Sequence, residues 1–323
     1  MKKICLLLVC CFLFNCGNKT TVYVSGYEIY DYKVEATYWK NGEGIIIKNT
    51  VKSPSAESIF VSWENIYIAL TDKDFKAKYW KNGEIINLPA DNEYSLALSI
   101  FVVGADVYLT GIDGFNKPVY WKNNKKIVLP VCSECDGSSP EAIYVLGNDI
   151  YVAGSDGCKA TYWKNAVPFH LTDGKYMHTA NSIFVVGNDV HIVGSGEGKG
   201  EFDVVKYWKN NKEINITDGS KWAVGNSIFV SNDDVYIAGH EESKAKYWKN
   251  GKGIYLDEGT EAHSIFVLNN DVYIAGYYKS DSSYKFGSTE KSIAKYWKNG
   301  VAVNLTDGTR SAFAKSIFVV KGK

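Results

Sequence analysis

The amino-acid sequence predicts an all-β protein built from seven similar four-stranded units. The first observation is repetition: the tetrapeptide Tyr-Trp-Lys-Asn begins at positions 38, 79, 120, 162, 207, 247 and 296 of the 323 residues. The second is a partner motif, Ser-Ile-Phe-Val, which occurs six times and has one variant copy at residues 142–145. The third is that each copy consists of short β-branched and aromatic runs separated by turn residues, with no helical periodicity after the first 16 residues.

One copy shows the order of the strands. Residues 227–230, 235–239, 245–249 and 253–256 are predicted to be strands, which we label A, B, C and D. Tight turns join A to B and C to D, and their Asn and Gly residues tolerate the positive φ that hairpin turns require. Successive copies lie 40 to 49 residues apart. Four-stranded repeats of this length predict a seven-bladed β-propeller.

The two ends of the chain are predicted to share one blade. The last copy stops after its A strand at residues 316–320, and the missing B, C and D strands match residues 22–26, 38–40 and 45–47. We therefore expect the C-terminal A strand to join the N-terminal B, C and D strands and close the ring, which removes the open ends of the array. Residues 22–323 form this single predicted domain.

The first 16 residues have the pattern of an export signal. Lys2 and Lys3 precede an apolar run at residues 4–14, which is too short to span a bilayer as a helix. The stretch that ends at Cys16 resembles a lipoprotein lipobox, in which the cysteine receives lipid. Residues 17–21 would then be a tether, and the protein would be exported and lipid-anchored in a bacterial cell envelope, periplasmic or surface-facing. A plain secretory signal or an uncleaved anchor are the alternatives.

Composition narrows the class of partner. The chain has 36 basic and 36 acidic residues, so it offers no charge excess for nucleic acid. Its 14% aromatic residues argue against disorder. No phosphate-binding loop, zinc-protease motif, nucleophile elbow or dinucleotide fingerprint occurs. We expect a monomer without a cofactor, and no residue is identified as catalytic.

The propeller is predicted to have two different faces. The A–B and C–D turns share one face and are uniformly short; we call it the constant face. The B–C and D–A loops share the other, the variable face, where length and composition differ between copies. The motif Tyr and Trp residues are expected to be core, and the Ser that opens each A strand to be small for packing near the axis rather than a nucleophile. Binding residues are expected on the variable face.

Two sets of residues are candidates on the variable face. The position before each A-strand Ser should lie at the mouth of the central channel, as a ligand site or a solvated funnel. It is occupied by Glu57, Leu98, Glu141, Asn181, Asn226, His263 and Lys315, of which all but Leu98 are predicted binding residues. The D–A loops carry aromatic residues outside the repeat pattern, which either recognise a sugar or peptide or fold down over the blade edge. They are Tyr94, Tyr176, Trp222 and Phe313.

A third group is acidic, and a fourth contains cysteine. The acidic group is expected to be a solvated charged rim rather than a metal site, because its ligand spacing is loose. It comprises His240, Glu241, Glu242, Asp257, Glu258, Glu261 and His263. Cys132, Cys135 and Cys158 all fall on the variable face. In an exported protein one disulfide, Cys132–Cys158 or Cys135–Cys158, is the simplest prediction, and a three-cysteine metal site is the alternative.

The repeats also carry a family resemblance. The Gly-His and Trp-Asp pairs of WD40 repeats and the Gly-Gly doublet of kelch repeats do not recur here. The chain is similar to uncharacterised exported bacterial propeller lipoproteins with Tyr-Trp-Lys-Asn-Gly copies. This resemblance implies a fold and a cellular location but no activity. Two hypotheses follow. The protein is a tethered binding module for a glycan, peptide or protein, or an exported lyase or hydrolase that uses His263 with Glu57 or Glu141.

Overall fold

The chain folds into seven four-stranded antiparallel sheets arranged as blades. The computed structural model describes residues 20–31, 33–48, 54–72, 74–115, 117–132, 137–279 and 291–322. Cys16, Cys135 and the predicted signal segment lie outside these residues. Within them the fold is all β, as predicted.

The blades are numbered from the N-terminus, each written from its innermost strand outward. Blade 1 is β28 (Ser311–Lys321), β1 (Thr20–Tyr30), β2 (Lys33–Lys40) and β3 (Glu43–Ile46). Blade 2 is β4 (Ser55–Ser62), β5 (Asn65–Thr71), β6 (Ala77–Lys81) and β7 (Glu84–Asn87). Blade 3 is β8 (Ser95–Val103), β9 (Asp106–Asp113), β10 (Pro118–Lys122) and β11 (Lys125–Val128).

The other four blades repeat this plan. Blade 4 is β12 (Ser139–Leu146), β13 (Asp149–Asp156), β14 (Lys159–Lys164) and β15 (Val167–His170). Blade 5 is β16 (His178–Val186), β17 (Asp189–Glu197), β18 (Asp203–Lys209) and β19 (Lys212–Asn215). Blade 6 is β20 (Ala223–Ser231), β21 (Asp234–Glu241), β22 (Lys244–Lys249) and β23 (Lys252–Tyr255), and blade 7 is β24 (Glu261–Leu268), β25 (Asp271–Tyr278), β26 (Ile293–Lys298) and β27 (Val301–Asn304).

The predicted ring closure is confirmed. β1 pairs with β28 from Thr20 opposite Lys321 to Ile29 opposite Ser311. β28 also packs against the innermost strands of both neighbouring blades, β24 and β4. The N-terminal strand begins at Thr20, so two residues assigned to the tether, Thr20 and Thr21, belong to the sheet.

The hydrophobic core is divided into seven clusters, one between each pair of neighbouring blades. The motif Trp residues fill these gaps, and all seven are buried, as the sequence predicts. Several also donate from Nε1 to a backbone carbonyl of the preceding D–A segment, such as Trp163 to Pro130 at 2.7 Å. Trp121, Trp163 and Trp297 therefore satisfy their single donor while filling the wide outer gap between blades, whereas Nε1 of Trp208 has no hydrogen-bond partner among the described residues.

The Lys and Asn of the repeated motif organise the constant face. In blade 6, Asn250 accepts from the amide of Val235 at 2.9 Å and donates to Asp234 at 2.7 Å. Lys249 forms an ion pair with Asp234 at 2.7 Å and lies 5.1 Å from the centroid of the Tyr236 ring. The same Asp–Lys–Asn network recurs around Asp106, Asp149, Asp189 and Asp271. The motif therefore joins the start of strand B to the end of strand C in blade after blade.

Candidate functional site

The seven predicted mouth residues occupy one equivalent structural position. In each innermost strand the pairing register shifts at the residue before the motif Ser, as between Ala56 and Ser58 or Ala262 and Ser264. The skipped residue is the extra residue of a β-bulge, a feature that redirects a side chain out of the regular alternation. The strands themselves begin earlier than predicted, for example β20 at Ala223 instead of residue 227. The mouth residues thus lie within the innermost strands near their variable-face ends.

Two of these residues link neighbouring blades. The Asn181 side chain donates to the carbonyl of Gly225 at 2.8 Å, and Asn226 donates to the carbonyl of Ala262 at 2.9 Å. Each accepting carbonyl belongs to the next blade, just before its own bulge. The amides therefore contribute to packing around the axis as well as lining the mouth.

The acidic mouth residues lie within electrostatic reach of one another. Desolvation within the mouth raises the pKa of the Glu141 carboxyl, a hydrogen bond from Ser139 at 2.8 Å opposes that shift, and the charge of Glu57 adds a smaller upward contribution. Burial raises the pKa of Tyr27, and the charges of Glu57 and Glu261 raise it further. The mouth therefore disfavours an additional negative charge.

His263 and Lys315 belong to an aromatic corner of the mouth. Phe313 stacks on Tyr27 with centroids 5.1 Å apart and meets Tyr277 edge-on at 4.9 Å, and His263 stacks on Tyr277 at 5.5 Å. The Lys315 ammonium lies 6.0 Å from the centroid of the Tyr27 ring. Phe313 is part of β28 and not of the loop before it, so its side chain packs at the mouth instead of at a loop tip.

His263 is held in its neutral form. Burial first, and then the charges of Lys315 and His240, lower its pKa to about 3. In the described part of the chain its Nε2 atom makes no hydrogen bond, although Oε2 of Glu261 lies 3.4 Å away. Nor does any hydrogen bond or ion pair among the described residues join His263 to Glu57 or Glu141. An imidazole with so low a pKa is a weak proton acceptor near neutral pH.

Two rings of repeated side chains line the channel below the mouth. The motif Ser accepts from the amide of the Ile in the next blade at 3.2 to 3.3 Å, as in Ser58 with Ile100. Six of the seven interfaces have this bond, and Ala142 replaces Ser at the interface of blades 4 and 5. The Ser therefore has a specific structural role beyond its small size.

The second ring is aromatic and was not predicted. Its seven members have centroids 4.7 to 5.0 Å from their neighbours and interplanar angles of 47 to 54°. These angles lie close to one seventh of a turn, about 51°, as expected for a repeated radial arrangement. The ring narrows the channel beneath the mouth. It consists of Phe60, Phe101, Tyr144, Phe184, Phe229, Phe266 and Phe318.

Three predicted loop aromatics have different surroundings. Tyr94 is sandwiched between Phe75 at 5.1 Å and Phe115 at 5.2 Å. Tyr176 is 57% exposed and lines a cleft of about 470 Å³ between blades 4 and 5. Trp222 packs on His240 with centroids 4.9 Å apart. Tyr94 therefore belongs to an aromatic cluster with Phe75 and Phe115. The sequence analysis did not predict this cluster, because Phe75 and Phe115 lie in B–C loops that share no sequence pattern.

Lysines neutralise much of the predicted acidic rim. Glu241 pairs with Lys246 at 2.8 Å, Glu242 with Lys221 at 3.1 Å, and Glu258 with Lys295 at 2.7 Å. Among residues 20–322, excluding the undescribed gaps, no group of three or more His, Cys, Asp or Glu side chains is arranged to hold a metal ion. Glu258 therefore fastens its loop to strand β26, whereas Glu241 joins two neighbouring strands and Glu242 joins two loops.

Cys132 and Cys158 both have free thiols. The Cys132 amide donates to the Asp156 carboxylate at 3.0 Å, and the Cys158 carbonyl accepts from His178 at 3.0 Å. The third cysteine of this group, Cys135, lies outside the described residues. Formation of a disulfide in an oxidising compartment stays a prediction.

The fold and this mouth define a seven-bladed β-propeller with a chemically uneven variable face. Compared with known proteins, the chain matches no family model and no curated sequence. In the portion of the chain that the structure covers, no helix is long and apolar enough to cross a membrane.

Proposed function

We propose that this propeller is an exported, membrane-tethered binding module whose variable face recognises a glycan, peptide or protein. The observation that carries the proposal is the ring of bulge residues. Seven equivalent backbone positions hold five different residue types, Glu, Leu, Asn, His and Lys, whereas the adjacent Ser, Ile and Phe positions scarcely vary. The blade framework therefore requires no particular side chain at the bulges, which leaves them available for recognition.

The shape of the mouth supports the same conclusion. The bulge residues surround an opening that the aromatic ring narrows below. Glu57, Glu141, His263 and Lys315 bring both signs of charge and a neutral imidazole to this rim. A concave site with a few convergent polar groups suits a ligand that offers both donors and acceptors.

The position of the N-terminus supports an orientation in which the variable face points away from the membrane. β1 begins at Thr20, opposite Lys321, at the constant face of the disc. Only three residues separate Thr20 from Cys16, the proposed site of lipid attachment. A tether this short would hold the constant face toward the membrane and direct the variable face away from it. The resemblance to exported propellers with the same repeated motif agrees with this membrane-tethered location.

Binding is tested with glycan and peptide arrays. The variant in which Glu57, Glu141 and His263 are all replaced by Ala should lose the partner that the unmodified protein captures. The matched control replaces three exposed constant-face residues, Glu43, Glu84 and Lys252, by Ala and should bind normally. Equal binding by all three proteins would contradict a site at the mouth.

Attachment is tested by metabolic labelling with a radioactive fatty acid in a bacterial host. Label should enter the unmodified chain and be absent from Cys16→Ser, while Cys158→Ser, with a cysteine removed from the propeller, should label normally. Label that persists in Cys16→Ser would exclude this anchor and leave the binding proposal standing.

A further inference from the structure

The Phe75, Tyr94 and Phe115 side chains form an exposed aromatic stack between blades 2 and 3. Tyr94 and Phe115 are nearly parallel, at 8°, and Phe75 is tilted by 33° from Tyr94. Phe115 is 81% exposed and Phe75 is 50% exposed. Large apolar side chains this exposed gain little from folding, because most of their surface stays in water.

The backbone at Phe75 is also strained. Its φ is +52°, in the left-handed region that bulky side chains rarely adopt. Such residues persist where the surroundings force them, and they concentrate at functional sites. Stability alone would favour Asn or Gly at this position, so the Phe ring is retained at a cost.

Two buried aspartates fix the loops that carry the stack. Asp72 accepts from the amides of Asp74 and Lys76 and pairs with Lys78 at 2.6 Å. One blade on, Asp113 accepts from the amides of Asp91 and Asn92 and pairs with Lys126. The amide of Gly114 then donates to the Tyr94 carbonyl at 2.7 Å, and that of Ser95 to the Phe75 carbonyl at 2.6 Å. The aromatic rings are thus held in place before any ligand arrives.

Polar groups border the rings. A cleft of about 400 Å³ is lined by the three aromatics with Asp74, Asn92, Glu93 and Gly114. This volume lies within the range of small-molecule sites. The cleft therefore combines flat apolar faces with carboxylate and amide groups at their edges.

We propose that this cleft binds a neutral oligosaccharide, with a sugar ring stacked on the exposed aromatic faces and its hydroxyls bonded to Asn92 and Glu93. The inference rests on the proposed recognition by the variable face and adds a second site, separate from the mouth, together with its ligand class. A neutral glycan held in this cleft should therefore still bind the variant in which Glu57, Glu141 and His263 are replaced by Ala. A pyranose ring presents a face of C–H groups and a rim of hydroxyls, which matches an aromatic face bordered by carboxylate and amide groups.

Two other ligand types fit less well. A site for an ammonium group needs rings that surround it, whereas nearly parallel rings cover only one side. A nucleic acid would bring phosphates against Asp74 and Glu93, which repel them. Neutral sugar therefore satisfies both the shape and the charge of the cleft.

The test uses the full chain in a sugar-free detergent with a panel of neutral hexasaccharides. The panel contains β-1,4-glucan, β-1,3-glucan, β-1,4-mannan and β-1,4-linked N-acetylglucosamine, assayed by saturation-transfer NMR and calorimetry. At least one should bind, and Phe115→Ala and Phe75→Ala should each weaken it about tenfold. The matched control, Phe202→Ala, removes an exposed aromatic from the same face and should leave affinity unchanged.

The outcomes separate this inference from the broader function. Failure of every hexasaccharide at millimolar concentration, or equal binding by the Phe variants, would overturn the carbohydrate site. Capture of a peptide in the array experiment would still leave the binding module standing. Binding of a peptide through the charge of Glu93 should weaken with added salt, whereas binding of a neutral sugar should not.

A second variant distinguishes recognition from a structural role. Phe75→Asn relieves the positive φ and should keep or raise the midpoint of thermal unfolding while weakening hexasaccharide binding. A fall in the midpoint together with unchanged binding would show that Phe75 serves the fold, and would also overturn the proposal.

Discussion

The two faces of the propeller use the same strands for different purposes. On the constant face, a Lys, an Asn and an Asp form one network that recurs in at least five blades. On the variable face, equivalent positions hold different residues, and each loop is fastened by its own contacts. The comparison teaches that repetition here stabilises the disc, whereas departures from repetition mark candidate binding sites.

The faces also differ in how they treat charge. On the constant face, hydrogen bonds from Lys249 and then Asn250 lower the pKa of Asp234, so its charged form is favoured. At the mouth, desolvation raises the pKa of Glu141 and burial lowers the pKa of His263, so each charged form is disfavoured relative to the same group in water. Desolvation by the narrow mouth explains the second pattern, and exposed ion pairs explain the first.

The sharpest contrast should come from removing one aromatic side chain from the framework and one from the variable face. Trp163 is fully buried, so Trp163→Ala should lower the free energy of unfolding by about 3–5 kcal/mol. Phe115→Ala should change it by less than about 0.5 kcal/mol. Urea denaturation measures the free energy of unfolding of both variants. Losses of equal size would contradict the distinction between buried residues of the blade framework and exposed residues of the variable face.

The next largest effect is a pH dependence that originates at the mouth. His263 has a pKa of about 3 in the folded state and an ordinary value of 6.5, so the unfolded chain binds its proton first as the pH falls. Stability from neutral His263 is therefore complete above pH 6.5 and declines toward pH 3. His263→Gln should reduce the loss of stability between pH 7 and pH 4.5 by about 2 kcal/mol.

Urea denaturation at the two pH values measures this difference, and NMR should show no titration of the His263 ring between pH 8 and pH 5. His191 and His240 also have lowered pKa values, so part of the pH dependence should remain in the variant. The aspartates of the constant face contribute only near and below their ordinary pKa of 3.8. A ring that titrates near pH 6.5 would contradict a desolvated mouth.

A smaller effect should come from one constant-face turn. Asn250→Ala removes two hydrogen bonds and places Ala at a φ of +50°, which should cost about 1–2 kcal/mol. Asn250→Gly also removes the bonds but accepts the φ, and should cost less. Chemical denaturation of both variants separates the two contributions, and equal losses would mean that the backbone conformation is not strained by Ala.

The smallest expected effect concerns the incomplete Ser ring. Ala142→Ser supplies a hydroxyl opposite the amide of Ile183 and should stabilise the fold by about 0.5–1 kcal/mol, whereas Ser99→Ala should cost a similar amount. Thermal unfolding of the two variants, measured side by side with the unmodified protein, should show a higher midpoint for Ala142→Ser and a lower midpoint for Ser99→Ala. Destabilisation by both changes would indicate that the seventh interface has no room for the bond.

The repetitive part of the structure could be predicted from the sequence. The Tyr-Trp-Lys-Asn copies located every C strand, Asn250 and Gly251 identified a turn with two positive φ values, and the unmatched ends predicted the shared blade. Each of these features depends either on residues adjacent in the chain or on a motif that recurs at regular spacing. The motif spacing is therefore enough to predict these features.

The candidate sites were only partly predictable. The sequence identified the position before the motif Ser but not the β-bulge that places it, because a bulge is defined by the partner strand. It singled out Tyr94 but not Phe75 and Phe115, which meet it only when two separate loops approach. The bond from the motif Ser to the next blade was missed for the same reason, since the repeat unit does not contain its own partner.

The position of β1 has a mechanical consequence. It is an inner strand of its blade, bonded along its length to β28 on one side and β2 on the other. A pull at Thr20 along the strand direction loads these bonds together in shear, whereas an outer strand such as β3 is open to peeling one bond at a time. Splicing the ends of the chain into one sheet therefore puts the N-terminal end, where the proposed lipid anchor would pull, on a strand that resists extraction.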